Sequence, residues 1–185
     1  MKIVAPVSRL ADIEPSARAG AHELYCGVVP PQWLSTFGTA GANRRASGNF
    51  ADLEALAGAV KAAHAAGCTL SLVLNAQQYA AEQATAGLDL AQAFLAMGGD
   101  ALIMSDPGMI AELGAAAPRA RIHVSSVATC RNASAARLYR DLGATRVILP
   151  RDVTIAEATG IAAEVPDVEI EAFVLNDGCV FEEGI

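Results

Sequence analysis

The amino-acid sequence predicts an α/β fold, a (β/α) TIM-barrel-like parallel barrel with seven strands in 185 residues, incomplete at its C-terminus. Three observations lead there. Four Ala-rich, helix-like stretches each end in a glycine followed at once by a short apolar run: AGAHELYCG at Gly20, AGCTLSLVLN at Gly67, MGGDALIMSD at Gly98 and LGATRVILP at Gly143. A glycine just past a helix takes the left-handed conformation that turns the chain back toward a sheet. Pro118 and Pro166 end two further helices, because proline cannot continue one. Strict alternation of this kind demands parallel strands with right-handed crossovers. No GxGxxG or Walker sequence follows any strand, which favours a closed barrel over an open nucleotide-binding sheet.

The elements follow in order. The opening IVAPV reads as a strand over 3–7, and 11–19 as a helix closed by Gly20, with the next strand at 23–27. The connection 28–50 shows no clear periodicity and is longer than most in compact domains. It is either a functional loop at the barrel mouth or a lid packed by Trp33 and Phe37, with Gly38, Gly41 and Gly48 as turns. Amphipathic patterns then predict helices at 51–66, 80–97, 107–116, 132–142 and 155–164. Between and after them fall strands at 69–75, 101–105, 121–125, 146–149 and 169–175. The whole chain, 1–185, reads as a single domain.

A hydrophobic content of 53%, mostly alanine rather than aromatic, excludes a largely disordered chain. The formal charge of -7 argues against a general footprint for nucleic acid or anionic membrane, while leaving room for a local basic site. No apolar run reaches the roughly 18 residues needed to span a bilayer, and the first residues lack a signal-peptide pattern. The expected location is the cytoplasm. Cys26, Cys68, Cys130 and Cys179 are scattered without a C-x-x-C pair, so reduced thiols are expected rather than a zinc ribbon or a disulfide framework.

Reacting groups of a (β/α) barrel sit where its strands end. Cys26, Asn75, Asp106, Ser125, Ser126, Arg151, Asp152, Asn176, Asp177 and Cys179 fall there, whereas His22 and Cys68 fall at strand starts and His64 on a helix. His123 shares a strand face with Ser125 and is a candidate general base. With Asp106 and Asn75 it makes the candidate catalytic set. Each has a plainer role: Asp106 as a helix N-cap before Pro107, Asn75 bonding loop backbone, His123 satisfied by a polar neighbour. Asp152 and Thr154 compete to cap the last helix.

Arg44 and Arg45 in GANRRASGNF, and Arg151, are the cations placed to bind an anion, since guanidinium pairs bidentately with carboxylate or phosphate. The alternative is an arginine pair solvated on the loop or bound to nearby acids. Asn49, Ser125, Glu171 and Asn176 complete the candidate substrate-binding set, and a small acidic substrate is the expected ligand. No Ser-His-Asp order, H-E-x-x-H or nucleophile elbow supports classical hydrolase chemistry, although Cys179 with His123 would make a cysteine nucleophile and base.

IVAPV, AGAHELYCGV, GANRRASGNF, IHVSSVATCRNASAARLYRDLGATRVILPRDVTIAE and EIEAFVLNDGC together resemble the peptidase U32, or collagenase-like protease, family across nearly the whole chain. The family's name implies a peptidase. Its better understood relatives are similar to iron-sulfur proteins for oxygen-independent hydroxylation of ubiquinone precursors, transfer RNA or ribosomal RNA. The resemblance implies a [4Fe-4S] cluster in the full-length protein with Cys179 as a ligand, and the family's C-x6-C spacing would put the next ligand just after Ile185. Cys26 and Cys130 do not match ligand positions, so this chain alone lacks three of the four thiolates a cluster takes. The expected function is thus the barrel part of a hydroxylase acting on an aromatic precursor or an RNA base. A peptidase and a non-catalytic anion- or partner-binding fragment are the alternatives. A homologous U32 partner subunit is implied, and charge favours a small acidic or aromatic substrate over nucleic acid.

Overall fold

The computed structural model describes residues 1–38, 42–76 and 78–175. The chain forms two compact units, Met1–Leu102 and Ile103–Ile185.

The first unit is built on a parallel sheet of β1 (Val4–Pro6), β2 (Glu23–Val28) and β4 (Thr69–Leu74), with β2 central. A two-residue β3 (Asn49–Phe50) pairs with the end of β2, Gly27 opposite Asn49. Helices α1 (Ile13–Arg18), α2 (Pro31–Phe37), α3 (Leu53–Ala65) and α4 (Ala81–Ala96) complete it. Side chains alternate across a strand, so each has two faces. Leu24, Cys26, Leu70 and Leu72 share one and are at most 1% exposed; α3 packs on β4 with Leu56, Ala59, Val60 and Ala63 buried. Glu23, Tyr25, Thr69 and Ser71 share the other, where the buried Glu23 is held by Lys2 Nζ at 2.9 Å.

Strand β5 (Ala101–Met104) crosses the division between the units. The second unit continues with α5 (Pro107–Ala116), β6 (Arg121–Val124), α6 (Ala133–Asp141), β7 (Ala144–Ile148), α7 (Ile155–Glu164) and β8 (Glu169–Glu171). Strands β6, β7 and β8 are parallel neighbours, and His123, Arg146 and Glu169 stand in register across them. Ile122, Val124 and Val147 are fully buried.

The alternating α/β pattern is the expected one, and two helices have the expected bounds. Gly20, Gly67, Gly98 and Gly143 all adopt positive φ at the helix-to-strand joints, and α5 and α7 stop two residues short of Pro118 and Pro166. Two expectations are corrected. The connection 28–50 contains α2 and β3: Pro31 occupies the first helical turn, where its missing N–H costs no bond, and a seven-residue helix is too short to show periodicity. Trp33 is buried and its ring meets Phe37 edge-on at 4.9 Å, both on this helix. Strand β8 ends at Glu171 rather than at residue 175, because β7 ends at Ile148 and Leu149 N–H gives the last bond to Glu171 O. Val174 and Leu175 beyond it are exposed. Among the described residues no helix is long and apolar enough to cross a membrane.

Candidate functional site

In the first unit the polar groups gather where β2 and β4 end. Asn43, 6% exposed, folds its side chain back on its own loop: Oδ1 accepts from Arg45 N–H at 3.0 Å and Nδ2 donates to Arg45 O at 3.2 Å and Asn49 Oδ1 at 3.0 Å. Asn49 Nδ2 donates to Arg45 O at 3.1 Å. Asn75, just past β4, accepts from Arg44 N–H at 3.1 Å. Ala42 O takes Ala76 N–H at 2.8 Å and the Tyr79 hydroxyl at 2.8 Å. Gly27 makes room for this assembly: a Cβ there would collide with the Asn43 and Asn49 side chains. Neutral amides thus fix the backbone of residues 42–49 while the side chains of Arg44 and Arg45 stay exposed. Neither guanidinium has an ion pair among the described residues.

In the second unit the polar groups lie within the sheet. Arg146 is 4% exposed on β7 and reaches along β8 to two carboxylates on the same face, Glu169 through Nε at 2.8 Å and Glu171 through Nη1 at 2.9 Å. Arg121 adds a longer contact to Glu169 at 3.6 Å. His123 is 1% exposed beside Arg146 in register, and Ser125 and Ser126 are buried just beyond β6. A guanidinium this deep needs paired carboxylates to offset its lost hydration.

The other predicted residues have local employment. Asp106 caps α5, its Oδ1 accepting from Met109 N–H at 2.9 Å. Its charge, with Cys130, adds to the burial that pushes the Tyr139 hydroxyl up. Thr154 wins the cap of α7 through a reciprocal box with Glu157, and Asp152 instead binds Arg131 at 3.0 Å, whose guanidinium holds its carboxyl below the usual carboxylate range. Arg151 lies over the Phe173 ring at 4.2 Å. His64 Nε2 meets Asp100 at 2.8 Å, and His22 Nδ1 accepts from Ile3 N–H. Asn176, Asp177 and Cys179 lie outside the described residues. Arg44, Arg45, Asn49 and Asn75 are therefore brought together in one unit, and His123 and Glu171 flank Arg146 in the other.

Sequence reasoning missed Asn43, Gly27, Arg146 and Glu169. Alternation along ATRVI, which sets one charge among apolar neighbours, was the available signal for Arg146.

The described thiols do not fit an iron-sulfur cluster. Burial pushes the Cys26 thiol up to about 12, on the face it shares with Leu24. Cys68, ahead of β4, donates to Ala21 O at 3.2 Å, and burial raises it as well as Cys130. Cluster ligation takes thiolates, which burial in apolar surroundings opposes. Among the described residues no group of three His, Cys, Asp or Glu side chains could hold a metal ion.

Comparison with known proteins adds three findings. The sequence profile of peptidase family U32 matches residues 8–185. The tRNA hydroxylation protein P of Escherichia coli (strain K12) is 32% identical over 183 residues, covering 99% of this chain but 38% of that protein. A solved U32 peptidase superposes with a TM-score of 0.69 at 16% identity, over 93% of this chain and 68% of the other. Such structural neighbours are TIM-barrel-like, in agreement with the predicted fold class.

Proposed function

The chain belongs to peptidase family U32, and on that premise we propose that it forms the barrel part of a tRNA hydroxylation protein working in the cytoplasm. The observation that carries this reading is the 32% identity over 99% of the chain to a protein named for tRNA hydroxylation; a Haemophilus influenzae protein of the same name is 31% identical over the same length. The chain spans less than two fifths of either relative, so the proposed activity is that of the longer protein and not of the barrel alone.

The acidic balance of the chain favours a small substrate over RNA, and the relatives' names favour tRNA. A local cationic loop on an otherwise acidic surface supports the second without contradicting the first. A [4Fe-4S] cluster, on family grounds, would rest on Cys179 and on no described thiol, so no catalytic step is assigned to it.

The test is genetic and chemical. Deleting the gene should remove a hydroxylated nucleoside from total tRNA hydrolysates in mass spectrometry, and the intact gene should restore it. An unchanged nucleoside profile, or cleavage of gelatin by the purified protein, would sink the reading in favour of no tRNA role or of a peptidase.

A further inference from the structure

The acidic chain holds most of its thirteen lysines and arginines against carboxylates. Arg121 joins Glu169, and Arg151 lies over Phe173. Among the described residues the exceptions are Arg44, Arg45, Lys61 and Arg119. Lys61 stands singly on α3 and Arg119 singly in the turn after α5, both exposed. Arg44 and Arg45 differ in three respects. They are adjacent, they sit where strands β2 and β4 end, and their backbone is fixed by Asn43, Asn49 and Asn75, which carry no charge.

We infer that Arg44 and Arg45 form a phosphodiester grip that docks the RNA backbone at the strand-end face of the first unit. This rests on the tRNA reading above. The chemistry follows from the geometry. Amide clamps order the loop backbone without neutralising it, so the backbone share of the ordering cost of binding is already met while both guanidiniums keep their attraction for anions. Guanidinium matches phosphate oxygens bidentately. A small carboxylate would need enclosure to bind well, since ligand pockets bury most of their ligand's surface. Both arginines are exposed on an open loop instead, which suits a polymer whose neighbouring phosphates add contacts. Phosphate contacts fix register and carry no base information, so the grip positions tRNA without selecting the base.

The test measures tRNA binding to the intact protein by fluorescence anisotropy across a salt series. R44Q with R45Q should weaken binding about tenfold at low ionic strength and flatten the slope of log affinity against log salt by roughly 1 to 2. R44K with R45K should keep the slope, and K61Q with R119Q should leave both quantities unchanged. Circular dichroism and melting temperature of all variants should match the parent, because the side chains removed hold no described partner.

Unchanged affinity and slope in R44Q/R45Q overturns the grip, as does an equal loss in K61Q/R119Q. A variant that keeps tRNA binding but loses inorganic phosphate overturns it in favour of a small-anion site. A parent protein that binds tRNA no better than an acidic control overturns the tRNA reading itself, a result distinguishable from the failure of the grip alone.

Discussion

In the first unit two arginines stand exposed on a loop ordered by asparagine amides, whereas in the second Arg146 is 4% exposed between Glu169 and Glu171. Both regions fix an arginine, by opposite means. Amides bond the backbone of Arg44 and Arg45 and leave their charge to act outward. Carboxylates bond the side chain of Arg146 and cancel its charge inward. The first arrangement suits binding, and the second suits holding β7 to β8, where only three residue pairs are in register.

The difference breaks first at Arg146. Arg146→Met should cost about 3 kcal/mol in urea denaturation, because it strands carboxylates whose partner was buried, and the half-exposed Glu169 keeps the loss at the lower end of the range. Adding Glu171→Gln should recover part of that loss, a coupling that a double-mutant cycle reads directly. Equal stability of Arg146→Met and the parent would remove the contrast, since R44Q/R45Q is expected to stay within about 0.5 kcal/mol.

Gly27→Ala comes next. Its Cβ would collide with Asn43 and Asn49, so the clamp must open, at about 2 kcal/mol for an overpacked site. Hydrogen exchange should then show faster exchange of the Arg44 and Arg45 amides, which Asn75 and Asn43 accept in the parent. If those amides stay protected, the glycine is not what makes room for the loop.

This pairing of regions also shows what could be read from sequence. The helix-to-strand joints were legible because a glycine at positive φ is a local requirement, met at Gly20, Gly67, Gly98 and Gly143 without reference to the rest of the fold. Arg44 and Arg45 were legible as a charged pair in a long loop. Asn43 was not, because an asparagine that bonds its own loop looks like one that faces water until the loop's path is known. Arg146 was hidden for a similar reason: its partners lie 23 and 25 residues away and meet it only through strand register. Cys179, the one cluster ligand the resemblance implies, and Asn176, a candidate for substrate binding, fall outside the described residues.

The smallest effect belongs to a third arginine, Arg131, which pairs with Asp152 at 3.0 Å while that carboxylate stays more than half exposed. It is paired as Arg146 is but less buried, 29% exposed against 5%, so it helps separate pairing from burial. Its hydrogen bond holds the Asp152 carboxyl below the usual range. A carboxyl with a depressed folded pKa binds fewer protons in the native state than in the unfolded one. Its contribution is therefore present above the unfolded pKa and is lost as pH falls through the folded value. Arg131→Gln should cost about 0.5 kcal/mol near neutral pH, as exposed pairs do, and less once Asp152 is protonated in both states. High salt should reduce that loss, because dissolved ions screen an exposed pair, whereas the loss in Arg146→Met should persist. If both losses vanish with salt, burial does not distinguish Arg146, and its two carboxylates act as an ordinary surface network.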